Sequence, residues 1–326
     1  MQNKAIVVEK NENKEFSCTL QEVPTPTIQE GEILIQVSYS SLNYKDALSS
    51  TGHPGVSRNF PHITGIDAIG KVKESLHPSF SVGDTALVTG FDLGMNTKGG
   101  HQNHLKVNGD WAIHANDLPE KQYMVYGTAG FTAALSVYEI VNHASLPNKE
   151  VLVTGATGGV GSVAVSILSK LGYTVTALSG KSDKSEFLKS IGATHIIDRA
   201  ELGEPSKKPM LSEKYGAVVD TVGGTILAEA LKMTSYNGIV TCCGLTAGGD
   251  LSTNVYPFIL RSVRLVGIES VNCDLEKRKI IWNHLATDWQ IDTLDKLTQL
   301  IGLEEVPSFY EKFIKGQVSG RIVVEL

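Results

Sequence analysis

The chain has 326 residues, 41% of them hydrophobic and 20% charged, with a formal charge of −6 at pH 7. At roughly 150 residues per domain this is material for about two buried cores, which excludes a disordered chain, and the 32 glycines follow no Gly-X-Y period, which excludes collagen. The acidic balance argues against broad binding of nucleic acid, which needs a cationic field, but leaves room for an anionic cofactor in a local basic pocket.

In chain order, Met1-Gln2-Asn3-Lys4-Ala5-Ile6-Val7-Val8-Glu9 reads as a short strand, too briefly apolar for a signal peptide and interrupted by Glu9. Val23-Pro24-Thr25-Pro26 is a rigid turn, and residues 31–40 alternate apolar and polar with the period of a strand. Strands are expected at 65–72, at 81–88 behind a Gly83-Asp84 turn, and at 99–107. Many short strands with Gly and Pro between them predict a partly closed β-barrel. Leu118-Pro119-Glu120 opens a helical stretch. From Val151 strand and helix alternate: strands at 151–154, 173–178, 195–197, 217–220, 238–242 and 264–268, and helices at 160–171 and 185–191, stopped by Gly172 and Gly192. That alternation predicts βαβ units and a parallel sheet. The tail carries helices at 275–285 and 308–315 and a last strand at 321–324. No stretch is read as approaching the roughly 18 apolar residues of a membrane span, so no membrane partner and a cytoplasmic location are expected. Cys18, Cys242, Cys243 and Cys273 form no C-x-x-C pair and read as reduced thiols, with Cys242 and Cys243 on opposite faces of a strand.

One motif carries a cofactor. Val151-Leu152-Val153-Thr154-Gly155-Ala156-Thr157-Gly158-Gly159-Val160-Gly161 is a strand, a Gly-rich turn and a helix start, matching G-x-G-x-x-G with Ala156 in the first place. Gly158 and Gly159 let the backbone approach a pyrophosphate, Gly161 lets the helix pack on the strand, and the helix start from Val160 and Ser162 offers N–H groups and positive dipole. The second strand ends in Ser179-Gly180-Lys181, with no acid to hold a ribose 2′-hydroxyl. A hydroxyl and a cation suit a 2′-phosphate, with Arg199 and Lys184 as further cations, so NADPH is expected over NADH.

With these residues in hand the chain resembles the medium-chain dehydrogenase/reductases over essentially its whole length. The resemblance rests on Asn43-Tyr44-Lys45-Asp46, Gly65-Ile66-Asp67-Ala68, Gly83-Asp84, the Gly155–Gly161 turn and the closing Gly320-Arg321-Ile322-Val323-Val324. Three further segments, 127–133, Ser179-Gly180-Lys181 and 257–271, resemble the zinc-free branch of quinone oxidoreductases and acrylyl-CoA reductases. The resemblance implies an α/β protein: a GroES-like β-barrel catalytic domain, 1–124 completed by 272–326, and a Rossmann doubly wound parallel-sheet domain, 125–271. It also implies a homodimer joined along the strand at 264–268. Where zinc alcohol dehydrogenases of this superfamily carry Cys and Gly-His-Glu, this chain has Asn43 and Gly65-Ile66-Asp67, poor or impossible zinc ligands. His101 and His104 lie three apart in a strand-like segment and face opposite sides, and His53 and His62 read as polar loop residues, so no metal is expected.

Without a Lewis acid the expected acceptor is already electrophilic: a C=C conjugated to a carbonyl, or a quinone. Hydride passes from the nicotinamide to the β-carbon and the enolate collects a proton, with the protein supplying position and electrostatics. The resemblance places Tyr44 against the cofactor, where its phenol can hydrogen-bond nicotinamide or substrate, or pass a proton, and Asn43 is a candidate donor to a substrate oxygen. Thr128 and Thr132, at a helix start, are candidates to face the nicotinamide, and the resemblance adds Leu245, Ile259, Ser270 and Gln317 to the cofactor site, although periodicity alone makes Leu245 and Ile259 core. Asp46 and Asp67 read as structural. Lys45, Arg58 and Lys98 are available for coenzyme A phosphates. Three readings stay open: an NADPH-dependent reductase of an activated C=C such as an enone or acrylyl-CoA, an NADPH:quinone reductase using the same site, and a non-catalytic NADPH-binding sensor.

Overall fold

A computed structural model describes residues 2–144 and 146–326. The chain divides into two compact units, 1–128 with 298–326, and 129–297.

The first unit is mostly β-structure. Its strands are β1 (Gln2–Lys10), β2 (Phe16–Pro24), β3 (Glu32–Leu42), β4 (His62–Ile63), β5 (Asp67–Ser75), β6 (Thr85–Thr89), β7 (His104–Asn108) and β8 (Ala112–His114), with helix α1 (Tyr44–Ser50) after β3. β3 is the hub: it pairs antiparallel with β5 and with β7. Its inward side chains Ile33, Ile35 and Val37 meet Ala68, Val72, Val88 and Leu105 in the barrel core. The strand expected at 99–107 forms only from His104, because residues 99–103 bond instead to the 63–65 segment and to β1 and β3. β2 runs up to Pro24, so the proline pair ends a strand that the alternation of 31–40 had overshadowed; it pairs with β1 over its full length.

The helix α2 (Glu120–Val141) contains one break, Gly127, at φ 50 and ψ −158, a conformation closed to side chains. By length and composition α2 is apolar enough to cross a membrane, contrary to the sequence expectation, and most of the apolar stretch is buried inside the protein.

The second unit is a six-stranded parallel sheet. Its strands are β9 (Glu150–Thr154), β10 (Thr174–Ser179), β11 (His195–Asp198), β12 (Tyr215–Asp220), β13 (Thr234–Cys242) and β14 (Arg264–Gly267). They lie in the order β11-β10-β9-β12-β13-β14. The chain direction across the sheet reverses between β9 and β12, which opens a crevice at their C-terminal ends. Residues 151–154 and 215–220 are buried without alternation, as strands covered on both faces must be. The helices are α3 (Gly159–Lys170), α4 (Ser185–Ser190), α5 (Gly224–Met233), α6 (Tyr256–Arg261), α7 (Leu275–Ala286) and α8 (Leu294–Leu297). Cys242 ends β13 and Cys243 lies just beyond it, so the two thiols do not share a strand. All four cysteines are free.

The segment 272–297, expected to complete the first domain, packs in the second unit. Trp282 of α7 stacks on Phe131 of α2, centroids 5.9 Å apart, and Arg278 Cζ lies 4.7 Å from the centroid of the same Phe131 ring. Thr293 donates to Ser166 of α3 at 3.1 Å. Only from β15 (Thr298–Gly302) does the chain return to the first unit, where α9 (Val306–Ile314) follows and β16 (Arg321–Glu325) pairs with β3. Ile301, Val306, Phe309 and Val324 then join Leu42 and Ala47 in a second core of that unit.

Candidate functional site

The Gly-rich turn has the geometry its sequence demands. Gly155 sits at φ 60 with Thr221 Oγ1 where a side chain would stand. Gly158 caps α3, and the first helical hydrogen bond outside the turn is Ser162 N–H to Gly158 O at 2.9 Å, so the amides of Gly159, Val160 and Gly161 point from an open helix N-terminus. A Cβ at Gly161 would stand 2.4 Å from Gly155 O and 2.8 Å from Ala156 Cα, so only glycine lets α3 close on β9. At the mouth of the crevice, Thr154 donates to Asp220 Oδ1 at 2.7 Å and Gly223 N–H to Asp220 Oδ2 at 2.8 Å. Burial pushes the Asp220 carboxyl up, while these donors pull it back.

The next strand end joins the turn. Thr157 Oγ1 lies 3.4 Å from Ser179 Oγ, which accepts Lys181 N–H at 3.1 Å. Burial and the neighbouring Lys184 lower the Lys181 ammonium pKa. Lys184 itself pairs with Asp183 at 3.3 Å. Gly180 and Arg199 line a cleft of about 390 Å³ with Asp198, Glu204 and Thr225. The glycine cradle, the hydroxyl and the cations fit a dinucleotide with a 2′-phosphate. Thr157 and Thr225 were not singled out by sequence; the first lies inside the motif, and the second is brought in only by the crossing of α5.

Around the rest of the expected site the outcome is mixed. Thr132 donates to Ser270 Oγ at 3.0 Å, and the Ser270 and Val271 carbonyls accept from Arg278 Nη2 at 3.0 and 3.2 Å. Leu245 and Ile259 are 68% and 67% exposed, so the periodicity that made them core is overruled: Leu245 stands in the loop after β13 and Ile259 on α6. Gln317 is exposed in the loop after α9. Tyr44 opens α1 and is 41% exposed.

Asn43 and Thr128 belong to a buried polar network of the first unit. Asp67 Oδ2 accepts from Ser41 Oγ at 2.6 Å, Asn43 Nδ2 at 2.8 Å and Thr128 N–H at 2.9 Å, and Oδ1 accepts from Thr128 Oγ1 at 2.5 Å. Arg321, 2% exposed, donates to Val125 O at 2.8 Å and to Ser41 Oγ at 3.0 Å. Asp46 accepts Asn43 N–H at 2.8 Å and Ile66 N–H at 3.0 Å. Burial, then repulsion from Asp67, pushes Asp46 up to about 7 despite these bonds. Burial lowers Arg321, and the two carboxylates hold it up. The Asn43 amide and the Thr128 hydroxyl take part in this network and, through Asp67, hold α1 and α2. A Cβ on Gly127 would meet Asp67 Oδ2 and Ser41 Oγ at 2.6 Å, so the break in α2 is open only to glycine.

The histidines have local partners. His101 Nδ1 lies 2.9 Å from Tyr310 Oη and 3.0 Å from Thr64 Oγ1, and burial pushes its pKa down to about 4. His62 bonds Gly94 O at 3.0 Å, and His53 Nδ1 accepts Gly55 N–H at 3.2 Å. Among the described residues no cluster of three His, Cys, Asp or Glu is placed to hold a metal. Arg58 donates to Pro54 O at 3.1 Å.

A doubly wound sheet with a glycine cradle at its switch point in one unit, and a partly closed barrel in the other, define a dinucleotide-dependent oxidoreductase architecture. Residues 29–146 match the family described as alcohol dehydrogenase GroES-like domain, and residues 159–282 the one described as zinc-binding dehydrogenase. The chain is 38% identical over 325 residues to acrylyl-CoA reductase AcuI of Ruegeria pomeroyi, spanning 99% of this chain and 98% of the relative. It is 39% identical over 325 residues to YhfP of Bacillus subtilis, whose name marks it a provisional quinone oxidoreductase, spanning 99% and 98%. The yhdH oxidoreductase of Salmonella enterica, solved in complex with NADP, superposes with a TM-score of 0.95 at 39% identity over 99% of each chain. This chain belongs to the medium-chain dehydrogenase/reductase family, among relatives named for quinone oxidoreductase and acrylyl-CoA reductase activities.

Proposed function

We propose that the chain is an NADPH-dependent reductase of an activated C=C, an enone or an enoyl thioester of the acrylyl-CoA kind, working without zinc. The observation that carries this reading is full-length likeness to an acrylyl-CoA reductase, joined to a hydroxyl and two cations, Ser179, Lys181 and Arg199, at the ends of two neighbouring strands. Bound NADPH would supply the hydride. The amides of Gly159, Val160 and Gly161 hold the pyrophosphate, and Ser179, Lys181 and Arg199 hold the 2′-phosphate. Tyr44 presents its phenol to nicotinamide or substrate, Ser270 lines the cofactor site on a loop fixed by Arg278, and Leu245, Ile259 and Gln317 close around the cofactor. Asn43 and Thr128 act by holding α1 and α2 on Asp67. The protein works as a cytoplasmic homodimer.

The test measures NADPH oxidation in parallel with acrylyl-CoA, a simple enone and a quinone, with zinc content determined on the same sample. Turnover with the thioester or enone is expected. Turnover with the quinone alone would transfer the reading to a quinone reductase. Tight NADPH binding with no turnover on any acceptor would make the protein a nucleotide sensor, and stoichiometric zinc essential for activity would overturn the zinc-independent mechanism.

A further inference from the structure

The contact between Gly180 and Arg199 deepens the NADPH reading and rests on it. β10 and β11 run parallel with Ser179 opposite Asp198, so Gly180 and Arg199 are the next pair in register, just beyond the two strand ends. Arg199 opens a capped turn: Ala200 N–H donates to Asp198 Oδ1 at 2.8 Å, and Asp198 N–H to Glu201 Oε1 at 3.3 Å. Its backbone is thereby fixed, and the Asp198 carboxylate is turned into that turn. The guanidinium lies on Gly180: a Cβ there would stand 2.7 Å from Arg199 Nε and 2.9 Å from Cζ. Among the described residues Arg199 has no side-chain hydrogen bond or ion pair, although Glu204 lines the same cleft. A planar cation held over a bare backbone, facing a cleft and without a protein partner, is a seat for an anion.

We propose that Gly180 is a positioning residue for cofactor choice: having no side chain, it lets Arg199 lie against the end of β10 and meet the ribose 2′-phosphate, and a side chain at 180 displaces Arg199 and turns the site toward nucleotides lacking that phosphate. The fold tolerates the change. Gly180 does not have a positive φ, and the atoms a methyl group would displace are the far end of a flexible side chain.

The experiment uses the full chain without cofactor. Binding of NADPH, NADH, 2′,5′-ADP and 5′-AMP is measured by titration for the wild type, Gly180→Ala, Arg199→Ala and the double variant, with thermal midpoints alongside and KM and kcat where turnover is found. Gly180→Ala is expected to weaken NADPH and 2′,5′-ADP by about tenfold, the loss of one charge-assisted hydrogen bond. NADH and 5′-AMP should change less than about twofold, on the same scale of fold-changes, with the thermal midpoint held and KM rather than kcat moved. The double variant should be no weaker than Arg199→Ala, because the glycine acts through the arginine. Equal loss of NADH, or additive losses in the double variant, would overturn the proposal. A wild type that binds NADPH and NADH equally would overturn it while leaving a nucleotide enzyme in place. A wild type that binds neither would bring down the NADPH reading itself.

Discussion

Asp46 is the residue whose chemistry the fold alters most visibly. It is fully buried, it accepts two backbone N–H groups, and it shares its surroundings with Asp67. Its carboxyl titrates at about 7 instead of 3.8, so between those values the folded state holds a proton that the unfolded chain releases. Its contribution to stability is therefore complete below the unfolded value and is lost as pH rises through about 7. His101 works in the opposite sense, because its lowered pKa makes folding less favourable as pH falls below 6.5. A wild-type profile alone mixes the two, and the difference between wild type and Asp46→Asn separates them. Thermal midpoints from pH 4.5 to 8, about the window these shifts define, should show the wild type losing ground to Asp46→Asn as pH rises. Parallel profiles would place the Asp46 proton outside this range. Sequence alone marked Asp46 and Asp67 as structural but showed neither partner. The signal was Arg321, a charge at the head of the apolar run Ile322-Val323-Val324. A cation in a strand buried at that point needs a buried acceptor, and the chain offers few.

At the scale of elements, α7 decides where the second unit ends. Its sequence reads as a charged surface helix, Leu275-Glu276-Lys277-Arg278-Lys279, and the family resemblance sent it to the barrel. In the fold its inner face carries Arg278, Ile281, Trp282 and Leu285, all buried, and the aromatic contact with Phe131 fixes it to α2. The long stems of its lysines carry charge outward while this stripe packs inward. Trp282→Ala is expected to cost about 3–5 kcal/mol in urea unfolding, the range for emptying an indole site in a packed core. Trp282→Phe should recover much of it. A loss below about 1 kcal/mol would mean that α7 rides on the unit without holding it. The parallel strands were legible because buried β-branched runs and Gly-stopped helices are local signals. β2 and β15 were not, since an edge strand with mixed exposure carries no strong period.

Over the whole molecule, charge and edges set the terms of association. The chain is acidic overall, yet Lys181 and Arg199 follow the ends of the neighbouring strands β10 and β11, so two cations stand close together in an acidic protein. Among the described residues the sheet of the second unit ends on β14, which pairs with β13 and has no strand on its other edge. An open edge with Leu265 and Val266 half-buried is the place a second copy would add its own strand. Light scattering should give a mass twice that of the chain, and Val266→Lys should shift it toward the monomer by placing a solvated charge on the edge. A wild type that runs as a monomer across micromolar concentrations would remove the dimer from the proposed function.

Local sequence was enough to locate the strands of the parallel sheet, the cradle around Gly158 and Gly161, and the absence of an acid after β10. Each is written in neighbouring residues, and local steric and periodic constraints read neighbours well. Tertiary structure alone decided that Arg199 lies on Gly180, that Asn43 and Thr128 serve Asp67, that Leu245 and Ile259 face outward, and that α7 stays with the second unit. Those depend on which distant strands and helices meet, and side chains brought together across many tens of residues leave no period in the chain that places them.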